Sequence, residues 1–154
     1  MSITISTKIN GQSVTAMADA STSLLEFLRD ILEMKGSKLC CNTGECGACT
    51  IIYNGKPINS CVTMAADANG AEITTIEGLA EGDKLHPVQQ AFIDTGAVQC
   101  GYCTPGFIMS VKALFDRTKK PTAQDIEEAI SGNICRCTGY NKIVDAIQLA
   151  AQKL

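Results

Sequence analysis

The run Cys41-Asn42-Thr43-Gly44-Glu45-Cys46-Gly47-Ala48-Cys49 constrains this chain more than any other stretch. It sets three thiols at C-x4-C-x2-C spacing, and Cys61 follows a short distance on as a fourth. A loop of that kind wraps a compact anionic core and aims its sulfurs inward; the spacing is one that ligates a 2Fe–2S cluster. Gly44 and Gly47 open backbone dihedrals closed to other residues, allow close approach to the core and turn N–H groups toward it. Asn54-Gly55 is a hairpin dipeptide that can bring Cys61 back beside the loop. A four-cysteine zinc site is the competing reading, but such sites usually come as two C-x2-4-C knuckles. The spacing favours iron–sulfur ligation by Cys41, Cys46, Cys49 and Cys61.

Around that loop the sequence reads as a plant-type ferredoxin domain. Residues 3–9 and 12–17 alternate like strands and are joined at Asn10-Gly11, a second hairpin dipeptide. Ser23 opens a helix, with Glu26 completing a capping box and Leu24, Phe27, Leu28, Ile31 and Leu32 forming its apolar face. Strands near 50–53 and 57–60 flank the Asn54-Gly55 turn. A small-residue segment at 63–68 and a last strand at 72–76 complete a β-grasp domain over residues 1–78.

The composition then changes. Residues 78–83 are rich in Gly, Ala and acidic side chains and read as a linker. Pro87 begins a helix with Val88, Ala91 and Phe92 inward, ending near Gly96. Thr104-Pro105 begins another with Phe107, Ile108, Val111, Leu114 and Phe115 on one face. Thr122 caps a third around Ile126, Ala129 and Ile130, closed by Gly132. Asn141 opens the last, with Ile143, Val144, Ile147 and Ala151 inward. Four helices with one stripe each predict an all-α four-helix bundle over residues 79–154. The fold class expected is α+β.

Four more cysteines fall in that second half, as Cys100-Gly101-Tyr102-Cys103 and Cys135-Arg136-Cys137. C-x2-C alone is a weak signal, shared by redox disulfides and zinc knuckles. C-x-C says more, because residues two apart on a helix point to nearly opposite sides. Both sulfurs can face one site only from an irregular or extended loop, which Gly132-Asn133 and Thr138-Gly139 supply. Each pair precedes a predicted helix start, where the helix dipole favours an anionic group. A second cluster on Cys100, Cys103, Cys135 and Cys137 is expected. Cys40 is left over.

Composition excludes other classes. Nine cysteines in 154 residues fall short of a disulfide scaffold. The alternating N-terminus is not a signal peptide, and no apolar run approaches membrane-spanning length. A cytoplasmic home with reduced thiols is the expectation. The formal charge is −3 with thiols counted neutral; two oxidised clusters would take it to about −7. Lys119-Lys120 is the longest basic run, so nucleic acid is not an expected partner. His86, the single histidine, sits beside Pro87 and reads as a cap or packing residue. No Ser/His/Asp set, phosphate-binding glycine loop or flavin fingerprint is present. The chain is expected to carry electrons without binding substrate.

Taken together, the 41–49 run, Cys61, and two further stretches resemble a known family. These are Gln99-Cys100-Gly101-Tyr102-Cys103-Thr104-Pro105-Gly106 and Gly132-Asn133-Ile134-Cys135-Arg136-Cys137-Thr138-Gly139-Tyr140. They look like the small iron–sulfur subunit of the molybdenum hydroxylases, the family of xanthine, nicotinate and carbon monoxide dehydrogenases and aldehyde oxidoreductase. The likeness also takes in His86-Pro87-Val88-Gln89-Gln90-Ala91-Phe92 and so covers nearly the whole chain. It implies a relay of electrons from a molybdenum–pterin centre on a large partner subunit, through both clusters, to FAD on another subunit. It also implies that Gln99 and Cys137 lie against the pterin. One departure is Cys40, where the family often has Gly; using it as ligand would make the spacing C-x5-C, so Cys41 stays the choice. The Cys-Cys-x-x-Gly-Glu-Cys run is most similar to bacterial xanthine dehydrogenases. A purine such as xanthine, or another N-heterocycle, is the substrate expected at the partner. The alternatives are the small subunit of an aldehyde, nicotinate or carbon monoxide dehydrogenase of the same family and, from another class, a free two-cluster ferredoxin.

Overall fold

In the computed structural model, which describes residues 1–154, β1 (Ser2–Ile9) buries Ile5, Thr7 and Ile9 and exposes the residues between them. It pairs antiparallel with β2 (Gln12–Asp19) through Asn10 and Gly11, at φ 50° and 81°. Two left-handed residues are what a tight hairpin turn with the strands' own twist requires. The same chemistry at Asn54 (φ 47°) and Gly55 (φ 78°) joins β3 (Thr50–Tyr53) to β4 (Lys56–Asn59). With β5 (Glu72–Thr74) the sheet runs β2-β1-β5-β3-β4, and β1 and β5 are the parallel pair. Ile5, Ile9, Ile51 and Ile73 pack against Leu24, Phe27 and Leu28 to form this half's core.

The helix expected from Ser23 has its capping box, with the Ser23 side chain accepting from the Glu26 N–H and Glu26 accepting from the Ser23 N–H. Its body differs from the expectation. α1 (Leu24–Glu26) widens at once into a π turn, Phe27–Ile31, closed by the Leu32 N–H on the Phe27 carbonyl at 3.1 Å. A wider turn advances each side chain by a smaller angle, so the α-helical face drifts. Ile31, expected inward, is 40% exposed, while Leu25 is buried beside Cys49 and Cys61. Arg29, within the turn, donates to the carbonyls of Lys35 (3.0 Å) and Ser37 (2.6 Å) and so ties down the approach to the cysteine loop.

The last strand stops at Thr74, two residues short of the expectation, because Ile76–Gly78 turns as a 3-10 helix and carries Ile76 onto the helical core. Leu79 is buried in that core too, which anchors the start of the 78–83 stretch while residues 81–83 stay exposed. α2 (Pro87–Asp94), α3 (Thr104–Arg117), α4 (Ala123–Ile130) and α5 (Asn141–Ala151) follow. His86 caps α2, its Nδ1 accepting from the Val88 N–H at 3.2 Å, and Thr122 with Asp125 makes a capping box on α4. Gly132 does not close α4 in the left-handed region as expected; Ser131 is the C-cap, with its hydroxyl on the Glu128 carbonyl.

All the inward residues expected on α2 and α3 are buried, whereas Ala129, Val144 and Ala151 are only half-buried. Phe92, Phe107 and Phe115 sit fully buried in this core, each worth roughly 1.5–3 kcal/mol of transfer free energy. Ile52 of β3 joins the same core, so α3 lies on the sheet as well as among the helices. No helix is long and apolar enough to cross a membrane.

Candidate iron–sulfur centres

The 41–49 loop turns on Asn42, Gly44 and Gly47, at φ 59°, 83° and 67°. That path aims the N–H groups of Thr43 and Cys46 at the Cys41 sulfur, each at 3.4 Å. With the Thr43 hydroxyl the largest influence and these amides next, the Cys41 thiol is lowered to about 5. A thiolate is thus favoured at the head of the loop, as metal ligation requires. Asn59 Nδ2 donates to the Gly44 carbonyl, and Thr50 Oγ1 to that of Gly47 at 2.7 Å, fixing the loop to the β3–β4 hairpin.

That hairpin delivers Cys61. Thr50 pairs with Asn59, so the residues just outside them, Cys49 and the 60–61 segment, come side by side. Ser60 Oγ bonds the Cys49 carbonyl at 2.7 Å. Cys49 and Cys61 are both buried, and burial first, then the Cys49 sulfur, push the Cys61 thiol up to about 12. Cys40 is exposed and its sulfur lies against that of Cys46, a contact that raises the Cys40 thiol.

The second set assembles from elements far apart in sequence. Cys103 is the N-cap of α3, and residues 133–138 run as irregular loop into α5, as the C-x-C spacing demands. The Cys137 and Cys100 sulfurs stand 3.6 Å apart. Cys103 lies against Cys135; burial, then that neighbour, push the Cys103 thiol up to about 12. Burial acts the same way on Cys135, but it is outweighed by the Thr138 hydroxyl (3.1 Å) and N–H (3.4 Å), and the thiol is lowered. Contact with Cys100, then burial, raise the Cys137 thiol. Gln99, Cys100, Arg136 and Cys137 are all exposed, so this set opens onto the surface.

Three thiol pairs result, Cys49 with Cys61, Cys100 with Cys137, and Cys103 with Cys135, while the Cys46 sulfur lies against Cys40. A 2Fe–2S core with four thiolates takes two on each iron, and this donor set, with its glycine turns and inward N–H groups, fits one.

Residues 6–95 match the family described as 2Fe-2S iron-sulfur cluster binding domain, and residues 75–148 the 2Fe-2S binding domain family. The chain is 45% identical over 151 residues to the nicotinate dehydrogenase small FeS subunit of Eubacterium barkeri, covering 98% of this chain and 96% of that one. It is 48% identical over 136 residues to a probable xanthine dehydrogenase subunit of Bacillus subtilis, covering 88% and 78%. This chain belongs to the small iron–sulfur subunits of the molybdenum hydroxylases. Among solved structures, quinoline 2-oxidoreductase from Pseudomonas putida 86 superimposes with a TM-score of 0.95 at 38% identity, covering 98% of this chain and 94% of that chain.

Several residues of this small subunit matter to the two loops and carried no sequence signal of their own. Tyr140, held left-handed at φ 69°, accepts from the Cys135 N–H at 3.0 Å, and its ring meets Phe107 edge-on. The Tyr102 hydroxyl donates to the Leu39 carbonyl, linking the 100–103 loop to the approach of the first. Asn133 and Ser110 are buried between the loops. Asn133 lies in the C-x-C stretch, but nothing in its spacing names a partner.

Proposed function

We propose that the subunit holds two 2Fe–2S clusters and carries electrons from a molybdenum–pterin subunit to an FAD subunit. Cys41, Cys46, Cys49 and Cys61 are the ligands of one; Cys100, Cys103, Cys135 and Cys137 are those of the other. When bound, a 2Fe–2S core supplies a one-electron carrier with a potential tuned by hydrogen bonds to its sulfurs. Thr43, Cys46 and Thr138 are placed to make such bonds at Cys41 and Cys135. The observation that carries the reading is the approach of Cys100 and Cys137 to 3.6 Å across 37 residues.

On this reading Gln99 and Cys137 face the pterin, and their exposure supports it. The 41–49 loop then belongs to the flavin side. Residues 1–78 are the β-grasp domain and 79–154 the helical one. The substrate binds the partner and is an N-heterocycle such as a purine, in keeping with relatives named for nicotinate, xanthine and quinoline. A cytoplasmic, reducing compartment suits nine free thiols.

Iron and sulfide analysis with electron paramagnetic resonance of the reduced complex tests the cluster count; co-purification with larger molybdenum and flavin subunits tests the partners. Two distinct signals and both partners are expected. Zinc in place of iron, or a chain that isolates alone with full iron content, would sink the reading.

A further inference from the structure

We infer that Asn133 is a positioning residue that locks the two cysteine loops into one spatial relation. Its side chain is buried, 4% exposed, and both ends are used. Oδ1 accepts from Ser110 Oγ of α3 at 2.7 Å, and Nδ2 donates to the Gly47 carbonyl at 3.0 Å, inside the 41–49 loop. The next residue adds a parallel tie, the Ile134 N–H donating to the Cys46 carbonyl at 2.9 Å, and Cys135 follows directly. Residues 133 and 134 thus hold the two successive peptides that flank the Gly47 Cα.

The needs of the acceptor do not account for the contact. The Gly47 carbonyl already accepts from Thr50 Oγ1 at 2.7 Å and from the Thr50 N–H at 3.1 Å, both within its own hairpin. Its lone pairs need no third donor. What the amide of Asn133 adds is a fixed link between that loop, α3 and the C-x-C loop. Glycine makes the approach possible: a Cβ on Gly47 would stand inside contact distance of the Gly132 carbonyl and of Asn133 itself. Transfer between two carriers depends steeply on their separation, so rigid spacing has functional value. The inference rests on the two-cluster reading above.

The test is electron paramagnetic resonance of the assembled, dithionite-reduced complex, comparing the unsubstituted subunit with Asn133→Asp, Asn133→Ala and Ser110→Ala. Asn133→Asp keeps the acceptor for Ser110 but sets a carboxylate oxygen against the Gly47 carbonyl. Each cluster is expected to keep its own g values and iron in both Asn133 variants, while the splitting from magnetic interaction between the two is narrowed or lost. Ser110→Ala, which leaves the Gly47 bond in place, is expected to retain it. Unchanged splitting in Asn133→Asp overturns the inference, as does an unsubstituted complex with two signals and no interaction between them. Loss of iron or of folded subunit in both Asn133 variants also overturns it, since Asn133 would then serve assembly and not spacing. A single signal in the unsubstituted complex fells the two-cluster reading itself and this inference with it.

Discussion

Gly106, in the first turn of α3, lies against the carbonyl of Gly47 with no room for a Cβ between them. Alanine there gains up to about 1 kcal/mol of helix propensity. It also drives a methyl into backbone that cannot swing aside, and overpacking costs roughly 1–3 kcal/mol. The second effect wins. Gly106→Ala is expected to lower the melting temperature of the iron-loaded subunit, whereas Gly132→Ala, with nothing within 4 Å, leaves it nearly unchanged. Thermal denaturation of the two variants side by side reads the difference.

Cys40 and Cys41 are neighbours in sequence with different surroundings. Two N–H groups point at the Cys41 sulfur, while Cys40 is exposed against Cys46. Cys40→Ser is expected to retain full iron content and both paramagnetic signals. Cys49→Ser removes a thiol from the buried Cys49–Cys61 pair and is expected to disturb one signal while leaving the other. A whole cluster lost from Cys40→Ser would mean that Cys40 takes a ligand's place in the loop.

His86 caps α2 only while Nδ1 is unprotonated, because it accepts from the Val88 N–H there. Burial first, then Lys112, lower its pKa from the ordinary 6.5, with Asp116 opposing them. The folded protein therefore favours the neutral ring. That contribution is complete above the unfolded pKa of about 6.5 and is lost as pH falls through the lower folded value. His86→Asn keeps a capping side chain and is expected to flatten this part of the stability–pH profile. His86→Ala is expected to cost about 1 kcal/mol at neutral pH by loss of the cap. Denaturant titrations across that range provide the check.

Gln99 is exposed in the isolated subunit and next to Cys100. Gln99→Ala should leave both clusters assembled, since it supplies no thiol. At a buried pterin contact it would leave a partner unpaired, at a cost on the order of 1–3 kcal/mol. Rapid mixing of the complex with substrate is expected to show slowed cluster reduction or weakened subunit association, with flavin reoxidation unchanged. Slowed flavin reoxidation alone would reverse the proposed order of centres.

Much of this fold was legible because its signals are local. The Asn10-Gly11 and Asn54-Gly55 turns, and the caps at Ser23, His86 and Thr122, each depend on residues within three positions of one another. The cysteine spacings are local too: the first set lies on one loop and one hairpin, and the C-x-C pair could only belong to irregular chain.

What the tertiary structure alone decided are contacts between distant segments. The π turn that leaves Ile31 exposed, and the burial of Leu25 over Cys49 and Cys61 just before it, are not contained in helical periodicity. Leu79 and Ile52 look like linker and strand residues until the helical core closes around them. Asn133 meets the Gly47 carbonyl across 86 residues. A buried amide is stable only where its donor and acceptor are both met, and for Asn133 those partners exist only once α3 and the two cysteine loops have come together.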